Sequence, residues 1–476
     1  MSSLKTTLIY LPGLLIPRAL SLALIITMTH VLPKSEYGLL SLVITVGELI
    51  DTSLTTWVRL ALLRLGGGGM ISTSLASIIF KTMATTTTGG CIIGLAISYV
   101  LVGSGFIEFW FAIASYTIGV SVLRFGLSLL QTNNKGTSYS VIEITRAISS
   151  FSLSLSAAHF FGPHFIYPSL AVSMTTFAFA LIAIRLGLKG LQSGDRIYSV
   201  REITSFAGPL LILSVLTIIS NAMDRLFLQY YWSAAAVGGY AATYALARQP
   251  VDVLANAINT GGYPALVARY EEGGRDEAEV FLRNQFGFFL KFVLPVIFVL
   301  FLLKDDVISA LLPKDYHNQA SGIFGIILLA GVGFNLRSSI FDNVFLVERK
   351  NYLQLRYFVP VFLVAVALSI FFIPAYGVWG SSVVFLTWTT LALVMSAITG
   401  RKLIRVSASY PDILRTGVLI GTCCIAAYSA QYVALGLSPF MRLLIEGLAA
   451  AGGYGMTITM LYPVEAKNAL FNIRQR

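Results

Sequence analysis

LQLRYFVPVFLVAVALSIFFI, residues 353–373, is followed after only Pro374-Ala375-Tyr376 by GVWGSSVVFLTWTTLALVMSAITG, residues 377–400. Each stretch is long enough to cross the hydrocarbon core of a bilayer, which takes about 20 predominantly apolar residues at the α-helical rise. Working outward from this pair, the pattern recurs along nearly the whole chain. Candidate spans lie at 9–31, 37–63, 74–102, 106–131, 139–161, 165–188, 205–232, 237–266, 283–303, 320–346, 414–436 and 440–462, about fourteen in all with the first two. A chain of 476 residues with 56% hydrophobic and 12% charged side chains and a mean hydropathy of +0.79 does not fit a water-soluble globule. The expected fold class is all-α integral membrane. Helices are the expected element because backbone in lipid must satisfy its own hydrogen bonds, and the alternating segments of a β-barrel are absent. The first span exceeds the apolar region of a signal peptide, and no small-residue cleavage site follows it.

Lysine and arginine set the orientation. With the N-terminus in the cytoplasm, most of the 33 basic residues fall at cytoplasmic ends, among them Arg59, Arg64, Lys135, Lys189, Arg269, Arg349, Lys350, Arg401 and Lys402. Lys34, Lys304, Lys314 and Arg442 fall outside. The positive-inside rule then predicts an even number of spans with both termini cytoplasmic. The net charge of +11 is accounted for by this asymmetry and gives no ground for a nucleic-acid partner. Trp57, Trp110, the Tyr230-Tyr231-Trp232 run and Trp379 sit at span ends, where aromatic side chains anchor at the membrane interface.

Several functions are disfavoured by what the sequence lacks. No stretch reads as a soluble domain: the longest polar segments, about 188–204 and 269–283, are short and cytoplasmic, and the largest outer loop, 304–319, is too short for the outer acids and bases of a glycan polymerase or ligase. No Gly-Lys dipeptide occurs, so a P-loop cannot form and the chain is not expected to be an enzyme that hydrolyses ATP that way. His30, His159, His164 and His317 are scattered without metal-ligand spacing, and no cofactor or metal is expected. Cys91, Cys423 and Cys424 lie inside spans and imply no disulfide framework. The Gly66–Gly69 run reads as a flexible cytoplasmic turn.

The chain carries signs of duplication. Glu36-Tyr37-Gly38 opens the second span and Ala236-Val237-Gly238 the eighth. A basic turn followed by tyrosine, Lys135 to Tyr139, links spans four and five, and Arg349-Lys350 to Tyr352 links ten and eleven. Two six-helix lobes of like orientation, 1–200 and 201–405, follow as the expectation, around a central cavity, with 406–476 supplying two extra helices and a cytoplasmic tail.

The stretches His30-Val31-Leu32-Pro33-Lys34-Ser35-Glu36-Tyr37-Gly38-Leu39-Leu40, and Asp224-Arg225 through Val237-Gly238-Gly239-Tyr240, resemble the polysaccharide-export branch of the multidrug/oligosaccharidyl-lipid/polysaccharide (MOP) exporter superfamily, the Wzx-type flippases. The resemblance covers the whole chain through its repeat, on helix-turn signatures and not on a chemical site. It implies an alternating-access transporter that moves an undecaprenyl-pyrophosphate-linked oligosaccharide to the outer leaflet for O-antigen or exopolysaccharide biosynthesis. The implied surroundings are membrane lipids and the polymerase and glycosyltransferases of the same pathway. Many sugar flippases of this kind are read with twelve spans, whereas fourteen is also the number in related lipid II flippases, so that substrate stays open. A multidrug cation antiporter of the superfamily would share fold and repeat; it is expected to offer acids and aromatics to cationic drugs, and the first span offers arginine and no acid.

Charged residues inside the spans point to a polar lumen independently. Arg18, Arg124, Arg146, Arg225, Arg248, Lys291 and Arg337 are basic, and Glu48, Asp51, Glu143, Asp224, Asp252 and Asp342 are acidic. At about 3 kcal/mol each, thirteen such charges facing lipid would cost about 40 kcal/mol, against a typical stability of about 5–15 kcal/mol. They must therefore face water or one another. The basic set is the candidate substrate-binding set, arginine suiting a pyrophosphate because its fork gives bidentate, charge-assisted bonds. Glu143 with Arg146 and Arg248 with Asp252 are spaced for ion pairs on one helix face, Asp342 lies just beyond one turn from Arg337, and Lys291 has no evident partner. Arg18 has no acid on its span and sits beside Pro17, which can bend the helix toward a cavity. Glu48 and Asp51 share a face of the second span, either as a proton or sodium coupling site or as partners of Arg18 or another lumen cation.

Overall fold

The computed structural model describes residues 3–65, 72–189 and 200–462; the Gly66–Gly69 turn, most of the 188–204 segment and the C-terminal tail lie outside them. The described residues form helices and no β-strand: α1 (Ser3–Val31), α2 (Lys34–Leu65), α3 (Thr73–Val102), α4 (Phe106–Thr132), α5 (Gly136–Phe161), α6 (Ile166–Leu188), α7 (Val200–Tyr231), α8 (Ala234–Leu302), α9 (Lys304–Leu311), α10 (Lys314–Leu336), α11 (Asp342–Val347), α12 (Asn351–Gly400), α13 (Tyr410–Val433) and α14 (Pro439–Leu461). Ten helices among the described residues are long and apolar enough to cross a membrane, so this is a multi-pass membrane protein. Two of the ten, α8 with 69 residues and α12 with 50, are each broken by a glycine with non-helical dihedrals, Gly274 (φ 70°) and Gly377 (φ 54°). The first break falls between the eighth and ninth stretches of the sequence and the second at the first residue of the twelfth. A side chain at either φ would be strained, which is why glycine stands there.

The chain forms two compact units, residues 1–245 with 358–385, and residues 246–357 with 386–476. In the first, α4 packs on α2, α3 and α6, while α5 packs on α1 and α6. Its core is made of small and aliphatic side chains: Val58, Ala61 and Leu62 of α2 meet Ile79 and Met83 of α3 and Leu129 of α4, and Ala180 and Ala183 of α6 meet Leu123 and Leu127 of α4. Lipid offers no hydrophobic drive for helix association, so close packing over small residues takes its place. The tightest approach joins the first turns of α2 and α8. A Cβ on Gly38 would lie 1.8 Å from the Ala234 carbonyl oxygen, and one on Gly238 would lie 2.2 Å from the Lys34 carbonyl oxygen. Only glycine fits on either side of this contact.

In the second unit α9 packs on α10 and α14, and α13 on α14. The last two helices are held at both ends. Lys291 Nζ lies 3.3 Å from Asp412 Oδ1 and 4.0 Å from the centre of the Tyr462 ring. Arg442 Nε lies 3.2 Å from Asp306 Oδ1 and 3.0 Å from Glu446 Oε1, and Gln431 donates to Asp306 at 3.2 Å. Beyond the Gly274 break, Arg275 donates twice to Glu348, at 2.6 and 2.9 Å, and Lys350 once at 3.1 Å. Those hydrogen bonds, Arg275 first, hold the Glu348 carboxyl down at about 2 against a usual value of 4.5.

Candidate functional site

The first unit contains a polar cavity of about 350 Å3 between α1, α2, α4, α5 and α6, with Pro17, Glu48, Tyr116, Arg124, Glu143 and Arg146 in its wall. Four of the charges singled out in the sequence therefore meet in one place. Arg124 organises one side. Its Nη2 donates to both Glu48 oxygens, at 2.9 and 2.7 Å, and its Nη1 donates to Asp51. Asp51 is fully buried and accepts further bonds from Ser121 at 2.6 Å, Thr55 at 2.7 Å and Arg59 at 3.3 Å. Tyr116 donates to Glu48 at 3.2 Å. Two carboxylates are thus matched by two guanidiniums, and every hydrogen bond is charge-assisted, which is how buried charge avoids an uncompensated desolvation cost. Glu143 and Arg146 close a second neutral pair at 2.9 Å on α5. The cavity wall is rich in charge and balanced in sign.

Arg59 was not visible in the sequence as part of this cluster, because its position near the end of the span reads as a topology signal. The structure leaves it only 9% exposed and ties it to Asp51 and, at 2.7 Å, to Thr56. The available signal was the repeat Asp51, Thr55, Arg59 at four-residue steps, which puts all three on one helix face. Arg18, on α1 beside the wall residue Pro17, is exposed and makes no ion pair among the described residues. Of the remaining members of the first unit, Asp224 accepts from Tyr240 and from the Arg225 backbone N–H, while the Arg225 guanidinium stacks 4.5 Å over Tyr244 and donates to Thr45 at 3.3 Å.

The second unit has its own buried polar cluster. Arg248 pairs with Asp252 at 3.2 Å, Asp252 accepts from Asn335 at 2.6 Å, and the Arg248 guanidinium lies 4.1 Å over Phe334. Arg337 reaches Asp342 at 3.3 Å, and Asp342 Oδ1 accepts from Tyr357 at 2.7 Å and Ser396 at 2.8 Å. The Arg337–Asp342 pair exists because residues Arg337–Phe341 form a π-helical turn in which the Asp342 N–H bonds to the Arg337 carbonyl. A turn of this kind closes its backbone hydrogen bond across five residues instead of four, and sequence periodicity gives no warning of it. Lys291 lies apart from this cluster, against α13 and α14.

Similarity to known proteins defines the class. The fold matches solved structures of MOP-type transporters: a lipid II flippase MurJ in an inward closed conformation (14% identity, 97% of this chain and 99% of that one, TM-score 0.69), a MOP superfamily transporter from Pyrococcus furiosus (14%, 84% and 94%, 0.60) and an outward-facing multidrug resistance MATE family transporter (14%, 84% and 94%, 0.53). By sequence, the chain belongs to the polysaccharide biosynthesis protein family, which it matches over residues 27–321. A comparison with curated proteins found no match.

Proposed function

We propose that the protein is a flippase that moves an undecaprenyl-pyrophosphate-linked oligosaccharide across the bacterial cytoplasmic membrane by alternating access, with both termini in the cytoplasm, for surface polysaccharide biosynthesis. The observation that carries this reading, beside the family, is the charge balance of the cavity. Glu48, Asp51 and Glu143 are each engaged by an arginine, so a cationic drug meets no unengaged carboxylate there, whereas a sugar chain meets donors and acceptors of both kinds. The pyrophosphate falls to Arg18, exposed on α1 next in sequence to the wall residue Pro17, while the lipid tail stays in the bilayer. Arg124, Arg146, Arg248, Lys291 and Arg337 are then anchors for the acids they pair with, Arg225 is held by Tyr244 and Thr45, and contact of these six with substrate is secondary to those roles.

The proposed coupling to a proton or sodium gradient runs through Glu48. Its side chain is 30% exposed, whereas that of Asp51 is sealed. A proton on Glu48 cancels the charge that Arg124 Nη2 pairs with and leaves that guanidinium able to take a phosphate oxygen instead. The same geometry supports a lipid II substrate as the second reading, given the length over which MurJ superposes.

The test is a vesicle flipping assay with surface-glycan display in cells. Losing a charge-assisted contact costs about 1.5–3 kcal/mol, or roughly ten- to a hundredfold in affinity. Arg18→Ala is expected to abolish glycan display at normal protein abundance, with Arg18→Lys intermediate because it keeps the charge and loses the fork. Wild-type display by Arg18→Ala would remove Arg18 from the pyrophosphate site.

A further inference from the structure

Hydroxyls in the helices of this protein are commonly satisfied locally, by donating to a carbonyl three or four residues back. Thr145, Ser173 and Thr175 do so at 2.6–2.7 Å. Ser150 of α5 and Thr176 of α6 depart from this habit. They are 5% and 1% exposed, and neither hydroxyl has a hydrogen-bond partner among the described residues. The Arg146 Nε, one helical turn before Ser150, is buried and unpartnered as well, although the same guanidinium pairs with Glu143 through Nη2. All three residues line the polar cavity of the first unit. A buried donor or acceptor left without a partner costs about 1–3 kcal/mol, so three gathered on one wall mark a place where something polar belongs.

We infer that Arg146, Ser150 and Thr176 form a subsite for the hydroxyls of a neutral sugar ring. The charge of Arg146 is already balanced by Glu143, so the wall offers an N–H donor and two hydroxyls without net charge. That combination suits a ligand that both donates and accepts and carries no charge of its own. A sugar hydroxyl is such a group; a phosphate would want the charge of Arg18, which no acid pairs among the described residues, and a metal ion would want carboxylates that are not already engaged. Tyr139 and Phe151 stand in the same wall and supply ring faces for the apolar side of a pyranose. This subsite rests on the flippase reading and adds to it which surface reads the glycan, as distinct from the pyrophosphate.

Wild-type protein, Ser150→Ala, Thr176→Val and the double variant are titrated by native mass spectrometry with two probes, undecaprenyl pyrophosphate and undecaprenyl-pyrophosphoryl-N-acetylglucosamine. Each lost neutral hydrogen bond is worth about three- to tenfold in affinity. The variants are expected to weaken the sugar-bearing probe by that factor and to leave the sugar-free probe unchanged. Removing an unsatisfied buried hydroxyl is not expected to unfold the protein, and melting curves in detergent check this. Equal affinity of both probes for the wild type, or an equal effect of the variants on both, overturns the subsite and leaves the hydroxyls to trapped water. Failure of the wild type to bind either probe overturns the flippase reading itself.

Discussion

Asp51 takes four hydrogen-bond donors while shut away from solvent, and this makes it the most consequential single carboxylate in the first unit. Removing one partner of a buried ion network strands the others and costs about 3–5 kcal/mol. Asp51→Asn is therefore expected to lower the melting midpoint in detergent sharply. Adding Arg59→Met should recover part of the loss, because it withdraws the guanidinium whose ion pair was with Asp51, while Arg124 keeps Glu48; a purely additive double variant would contradict the network. Glu48→Gln, half open to the cavity, should instead keep the fold and blunt the response of flipping to an imposed gradient. At this scale the sequence was informative where partners sit within a turn, as with Glu143–Arg146 and Arg248–Asp252, since helix geometry alone brings them together. It was silent on Arg124 with Glu48 and on Lys291 with Asp412, which meet only through tertiary packing of helices far apart in the chain.

At the level of helices, apolar length located the spans, and glycines decided what happens between and against them. The crossing of α2 and α8 leaves no room for a methyl group at Gly38 or Gly238. Gly38→Ala should destabilise by about 1–3 kcal/mol, as overpacking does. Gly89→Ala is the control, since a Cβ there meets nothing within 4 Å and alanine is the better helix former. Equal melting midpoints for the two variants would remove the close contact as a determinant of packing. The repeated Tyr-Gly and Val-Gly signatures in the sequence mark these two positions, though nothing in them shows that they touch. The link between Arg275 and Glu348 adds a pH term. A carboxyl depressed from 4.5 to about 2 contributes stability that is complete above about 4.5 and lost as the pH falls toward 2. Between pH 5 and 3 the wild type should lose more thermal stability than Glu348→Gln, and parallel losses would argue against the link.

For the molecule as a whole, the orientation drawn from the basic residues predicts that reporter fusions after Lys189 and after Gly274 read cytoplasm, and that one near Lys314 reads the opposite side. An outer location for the 269–283 segment would invert the topology. The span pattern was legible because bilayer thickness dictates helix length. The two glycine breaks, the π-helical turn and the gathering of four charges around one cavity were not, because they follow from side chains packing in three dimensions. One consequence concerns ancestry. The sequence treats the last two helices as an appendix to a twelve-helix plan, yet Lys291 and Asp306, both outside those helices, find their partners on them. Lys291, 9% exposed, and Asp306, its side chain 15% exposed, would lose these ion partners in any forebear that lacked α13 and α14, and a charge left so costs stability. The two helices and these two residues should thus have been inherited together, and relatives that end after twelve helices are expected to carry apolar or small side chains at both positions.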